Sequence, residues 1–129
     1  MDLGLKDATA VVVGGGRGMG LAAARCLAGD AARVALVGRS RDVLDSAAAD
    51  LSARGSPDAV GIVADVADEH QARRVFDEIA NRWGGELNIL INTVGPAVQG
   101  GFEQLSDDQW RNAVDGGVLG MVHCVRSAL

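Results

Sequence analysis

A chain of 129 residues, 48% apolar and 22% charged, has the length of one ordinary domain and enough apolar residues for a single core. Its formal net charge of −5 argues against a nucleic-acid partner, which leaves room for a small anionic ligand held by a local cluster of arginines. No apolar run reaches the roughly 20 residues of a membrane span, and the acidic opening "MDLGLKDATA" is unlike a signal peptide, so no membrane association and a cytoplasmic setting are expected.

Residues 8–13, "ATAVVV", form a continuously apolar, β-branched run that suits a strand buried on both faces of a parallel sheet. Five glycines (Gly14, Gly15, Gly16, Gly18, Gly20) crowd the positions that follow, and "MGLAAARCLAGD" reads as a short helix ended by Gly29. "RVALV" (33–37) is the next strand, "RDVLDSAAADLSARG" a helix, "GSPD" a turn and "AVGIVAD" (59–65) a third strand. "DEHQARRVFDEIANRWGG" is amphipathic, with Val75, Phe76, Ile79 and Trp83 sharing a face. "LNILIN" (87–92) makes a fourth strand and "TVGPAVQGG" (93–101) a loop. A last helix starts at Ser106, where "SDDQ" has the form of a capping box. Four βα units in succession predict a three-layer α/β sandwich with a parallel sheet and right-handed crossovers.

Glycine in an ordered element costs about 0.5–1 kcal/mol relative to alanine, so the run between strand and helix calls for a reason. A helix N-terminus offers unpaired amides and partial positive charge, which favour a phosphate, and side chains there would keep the ligand off the backbone. Gly14, Gly18 and Gly20 read G-x-x-x-G-x-G. That spacing is neither G-x-G-x-x-G nor a Walker loop, since the chain's one lysine is Lys6. A ligand-free turn and an S-adenosylmethionine site remain alternatives to a dinucleotide. The latter would prefer an acidic residue at the end of the second strand, where this chain has Gly38 and Arg39. An NAD site would also place Asp or Glu there for the ribose 2′-hydroxyl. Arg39 and Arg17 instead suit a 2′-phosphate, with Ser40 donating and Arg41 close by, so NADP (NADPH) is favoured over NAD.

These residues resemble the short-chain dehydrogenase/reductase family, along the whole chain and in four marks. "VGGGRGMG" is similar to the family's Thr-Gly-x-x-x-Gly-x-Gly, and Arg39 to members that use NADP. "ADV" (64–66) is similar to the segment whose Asp contacts the adenine amino group, and "NTVG" (92–95) to Asn-Asn-Ala-Gly. The resemblance implies a Rossmann-type, doubly wound sandwich of strand order 3-2-1-4, incomplete on its C-terminal side. It implies cofactor binding by Gly14, Gly16, Arg17, Gly18, Met19, Gly20, Arg39, Ser40, Asp65, Val66, Asn92 and Gly95. It also implies hydride transfer to or from a small-molecule carbonyl or alcohol substrate.

Departures stand beside the marks. Val13 replaces the motif threonine and Thr93 the second asparagine, so Thr93 is expected to tie strand four to strand one from the opposite side. Gly117 stands where the family's fourth helix has an asparagine, and Gly116, Gly117 and Gly120 in one helix predict a kink or very close packing. The chain holds no tyrosine, so the family's Ser and Tyr-x-x-x-Lys groups are missing and no catalytic residue is assigned. A family member is expected to continue past Leu129. His70 reads as a surface residue and His123 as a helix-packing one. Cys26 and Cys124 match no metal spacing and read as buried, reduced thiols. Strand four as a bare sheet edge, and a fourth helix whose family counterpart forms subunit contacts, predict self-association into a homo-oligomer. The alternative to an enzyme portion is a non-catalytic nucleotide-binding or subunit-interaction module.

Overall fold

The computed structural model describes residues 1–95 and 98–129. Pro96 and Ala97, within the expected loop, lie outside the described residues. Strands β1 (Thr9–Val13), β2 (Arg33–Gly38), β3 (Ala59–Val63) and β4 (Ile89–Asn92) form one parallel sheet of order β3-β2-β1-β4. Helices α1 (Gly18–Gly29) and α2 (Arg41–Arg54) cover one face. Helix α3 (Glu69–Trp83) and the C-terminal helix cover the other, giving the three layers that the alternating pattern predicts.

The pleat explains why the strands are apolar throughout. Ala10, Val12, Val34 and Leu36 point toward Leu27, Leu44 and Leu51 of α1 and α2. Their neighbours Val11, Val13, Ala35, Val37 and Ile62 point toward Val75, Phe76 and Ile79 of α3 and Cys124 beyond it. With both faces covered, alternation of polar and apolar residues has no place in β1 or β2.

β1 starts one residue later than expected, and β3 and β4 are each two residues shorter. β3 stops at Val63, because the Asp65 amide donates to the Gln71 side chain at 2.9 Å instead of to a strand. β4 begins at Ile89, and Asn88 before it uses its side-chain oxygen to accept from the Thr9 amide at 2.9 Å. Cys26 is exposed and only Cys124 is buried, correcting the expectation for the first thiol. The buried face of α1 is carried by Gly20, Ala24, Leu27 and Ala28, and Cys26 lies off it.

Ser106 caps α4 (Asp107–Ala113) in the expected box: its hydroxyl accepts from the Gln109 amide at 3.2 Å while Gln109 Oε1 accepts from Ser106 N–H at 2.8 Å. A π-helical segment, Val114–Leu119, joins α4 to α5 (Gly120–Ala128). Of the kink or very close packing expected of the glycine cluster, the close packing is present, at Gly120. Weak helix propensity at Gly116 and Gly117 accompanies the wide turn, and Gly120 is buried against the β3 side of the sheet. Among the described residues no helix is long and apolar enough to cross a membrane, and no cluster of residues could hold a metal ion.

Candidate functional site

The register Val13↔Val37 and Val13↔Asn92, with Gly38↔Val63, brings all four strand ends to one edge of the sheet. The glycine turn, Arg39 and Ser40, Asp65 and Val66, and Thr93 to Gly95 all leave from that edge. β1 connects toward β2 on one side and has β4 on the other, so a crevice opens between them where the connections diverge.

The glycines do different things there. Gly14 has φ +80°, and a Cβ on it would fall 2.6 Å from Thr93 Oγ1. A Cβ on Gly20 would collide with the Gly14 carbonyl oxygen and stand 2.8 Å from Thr93 Oγ1. These two let the turn and the start of α1 press against the β4 side. Gly15 and Gly16 face α2's side of the sheet, where a Cβ would meet Leu36 Cδ2 at 2.5 Å and Val43 Cγ1 at 2.9 Å respectively. Gly16 is therefore a packing position, and Gly15 is another that the spacing argument passed over. Gly18 differs from all of them. Its φ is +53°, and no protein atom lies within 4 Å of where its Cβ would be.

Thr93 makes the expected tie. Its hydroxyl donates to the Val13 carbonyl at 2.9 Å and approaches the Gly14 carbonyl at 3.3 Å. At the start of α1, Arg17 occupies the cap position in an extended conformation without a side-chain cap bond, and no acidic residue enters the first turn. The helix thus presents amides and no competing carboxylate. Met19 beside it is 80% exposed.

At the end of β2, Arg39 and Ser40 are exposed, and Ser40 caps α2 without spending its side chain on a cap bond. Arg41 does not join them as expected. Its guanidinium is held by Asp45 at 3.1 Å and by the Gly61 carbonyl at 2.8 Å. Among the described residues, Arg17 and Arg39 have no carboxylate partner within 4 Å.

Asp65 is exposed and Val66 buried, with the Asp65 carboxylate accepting from the Ala67 amide at 3.0 Å. Asn92 accepts from the Val94 amide at 3.0 Å, and its Nδ2 is buried with no hydrogen-bond partner among the described residues. Gly95 is exposed. An open left-handed glycine at an uncapped helix start and an unpaired donor at the end of β4 fit a dinucleotide laid across the crevice.

The short chain dehydrogenase family model matches residues 8–129. The chain belongs to that family. A meso-2,3-butanediol dehydrogenase of Serratia marcescens is 34% identical to it over 92% of this chain and 46% of the relative. The L-sorbose reductase of Gluconobacter frateurii, solved with NADPH and L-sorbose, superposes with a TM-score of 0.92 at 28% identity, covering 98% of this chain and 48% of the other. A short chain dehydrogenase of Burkholderia cenocepacia in complex with NADP gives 0.88 at 32%, covering 96% and 50%. The chain thus spans about half the length of the relatives it matches.

His70 is on the exposed side of α3. Burial pushes the Cys124 thiol up to about 11, which leaves it a neutral, poor nucleophile. His123 is half-buried, and its Nδ1 lies 2.8 Å from the Val66 carbonyl oxygen, a contact that no motif signals.

Proposed function

We propose that residues 1–129 form one nucleotide-binding domain, the cofactor half of an NADP(H)-dependent oxidoreductase acting on a small carbonyl or secondary alcohol. The carrying observation is the pairing of the arginines. In a chain with 17 acidic residues, seven ion pairs engage seven other arginines and Arg74 is bonded to the Val63 carbonyl. Arg17 before α1 and Arg39 after β2 are exposed and have no carboxylate partner among the described residues, and Ser40, next in sequence to Arg39, is exposed as well. Two such guanidiniums and a hydroxyl suit a 2′-phosphate, and Gly38-Arg39-Ser40 offers no carboxylate to a free 2′-hydroxyl. NADPH and NADP in two similar solved structures support the same cofactor.

In this reading Gly18 lets the pyrophosphate approach the α1 amides, with Gly14, Gly16, Met19 and Gly20 shaping the turn. Asp65 accepts from the adenine amino group beside Val66, and Asn92 and Gly95 close the crevice on the β4 side. When bound, the nicotinamide supplies or takes up the hydride. The test is the ratio of NADPH to NADH dissociation constants for the chain and for the double variant Arg17→Ala/Arg39→Ala. Losing charge-assisted bonds worth about 1.5–3 kcal/mol should erase a preference of about tenfold or more. Equal affinity of the unaltered chain for both nucleotides would remove the NADP assignment.

Gly117 at the asparagine position, in a sequence with no tyrosine, favours a second reading: a module that binds nucleotide or a subunit without turnover. NADPH oxidation by the purified chain with a panel of carbonyl compounds would refute it. A Tyr-x-x-x-Lys in a longer reading frame would place the missing groups outside these residues.

A further inference from the structure

The turn after β3 is held from two sides. On its own side, the Asp65 amide donates to Gln71 Oε1 at 2.9 Å, and Asp65 Oδ1 accepts from the Ala67 amide at 3.0 Å. From the other side α5 reaches it, with His123 Nδ1 at 2.8 Å from the Val66 carbonyl oxygen. A carbonyl can only accept, so Nδ1 carries the proton. Nearly one turn earlier on the same helix, Gly120 allows the approach: a Cβ there would stand 3.3 Å from Val66 Cγ2. The Val66 carbonyl and the Ala67 amide are two ends of one peptide group, which is planar and stiff. His123 holds one end of that plane, and the Asp65 carboxylate is bonded to the other.

We propose that His123 is a positioning residue for adenine recognition, aiming the Asp65 carboxylate through the 66–67 peptide. The proposal rests on the reading of Asp65 as acceptor for the adenine amino group. His123 itself touches no nucleotide. Its loss frees the Val66 end of the plane to rotate, and the carboxylate that the Ala67 amide orients turns with it. Direction matters more than distance here, because a hydrogen bond weakens steeply once its angle falls away from linear.

The test is calorimetric titration of the full chain with NADPH and with its hypoxanthine counterpart, in which a carbonyl oxygen replaces the adenine amino group. The unaltered chain should prefer adenine by about tenfold, the loss expected when a polar group faces no partner. His123→Leu should lower that ratio by about fivefold, the worth of one misaligned bond to a charged acceptor. A general loosening of the fold weakens both nucleotides together and leaves the ratio where it was. His123→Asn, which keeps an N–H near the place of Nδ1, should hold the ratio within about twofold of the unaltered chain. If His123→Leu does not fold, the more conformable His123→Met carries the same comparison. An unchanged ratio in the apolar variant overturns the proposal while nucleotide binding stands. Equal binding of both nucleotides by the unaltered chain overturns it through Asp65. Binding of neither refutes the nucleotide-binding reading itself and takes this one with it.

Discussion

Thr93 joins the two strands between which the crevice opens, and it does so with one hydroxyl. Its bond to the Val13 carbonyl duplicates a partner which that oxygen already has in the Thr93 amide, at 2.9 Å. Thr93→Val therefore strands no Val13 carbonyl and should cost about 1 kcal/mol, the net worth of one hydrogen bond. For a domain of this size that is roughly a 3–5 °C fall in melting temperature. An unchanged melt would mean the tie contributes nothing. Gly18 tests the crevice itself. Gly18→Val meets no protein atom within 4 Å, so its stability loss should stay near the 1–2 kcal/mol of a left-handed non-glycine residue. Nucleotide binding should nonetheless be abolished, because the branched side chain fills the approach to the helix amides. Retained affinity in that variant would contradict the pocket assignment. The two thiols make a third comparison. Cys26 is exposed, and Cys124 is buried with its thiol pushed up to about 11, so alkylation near pH 8 should modify one cysteine in the native chain and both after unfolding. Mass spectrometry reads the count directly.

At the scale of elements, α3 is anchored at both ends. Asp68 caps its start, accepting from the amides of His70 and Gln71. At its end Arg82 grips Asp58 with two bonds of 2.8 Å, and Trp83 Nε1 adds a third at 2.8 Å. The Arg82 guanidinium holds the Asp58 carboxyl below its usual range. A carboxylate lowered in the folded state stabilises fully above its unfolded pKa of about 3.9 and loses that contribution as pH falls through the folded value. Discounted for its partial exposure, Asp58→Ala should cost about 1 kcal/mol at pH 7. The gap to the unaltered chain should close below about pH 4 in pH-dependent denaturation. The elements were largely legible because each announces itself locally: β-branched runs, a glycine turn, an amphipathic period, a Ser-x-x-Gln box. What stayed illegible depends on distant partners. Arg41 is drawn from the expected anion site by the Gly61 carbonyl, twenty positions away. His123 acquires its contact only when α5 folds over the turn after β3. The π-helical turn answers glycines whose cost was plain in the sequence but whose geometry was not.

Across the whole molecule, packing is uneven. β1 and β2 are almost wholly buried, whereas every residue of β4 is only partly covered, and β4 is the end strand of the sheet. Along α4, the π-helical segment and α5, the apolar side chains Trp110, Val114, Val118, Met121 and Val125 are exposed. An apolar edge strand and these exposed apolar side chains predict self-association of the isolated chain. Light scattering behind size exclusion should show dimers or larger species, and a monodisperse, thermally stable monomer would contradict that. The crevice lies at the C-terminal ends of these same strands, with β4 forming one of its sides.

That crevice is the centre of the account, and titration of the unaltered chain with NADPH and NADH by calorimetry tests it most directly. Saturable binding of one nucleotide per chain, tighter for NADPH by about tenfold or more, is the predicted result. Failure of either nucleotide to bind a folded chain would contradict it.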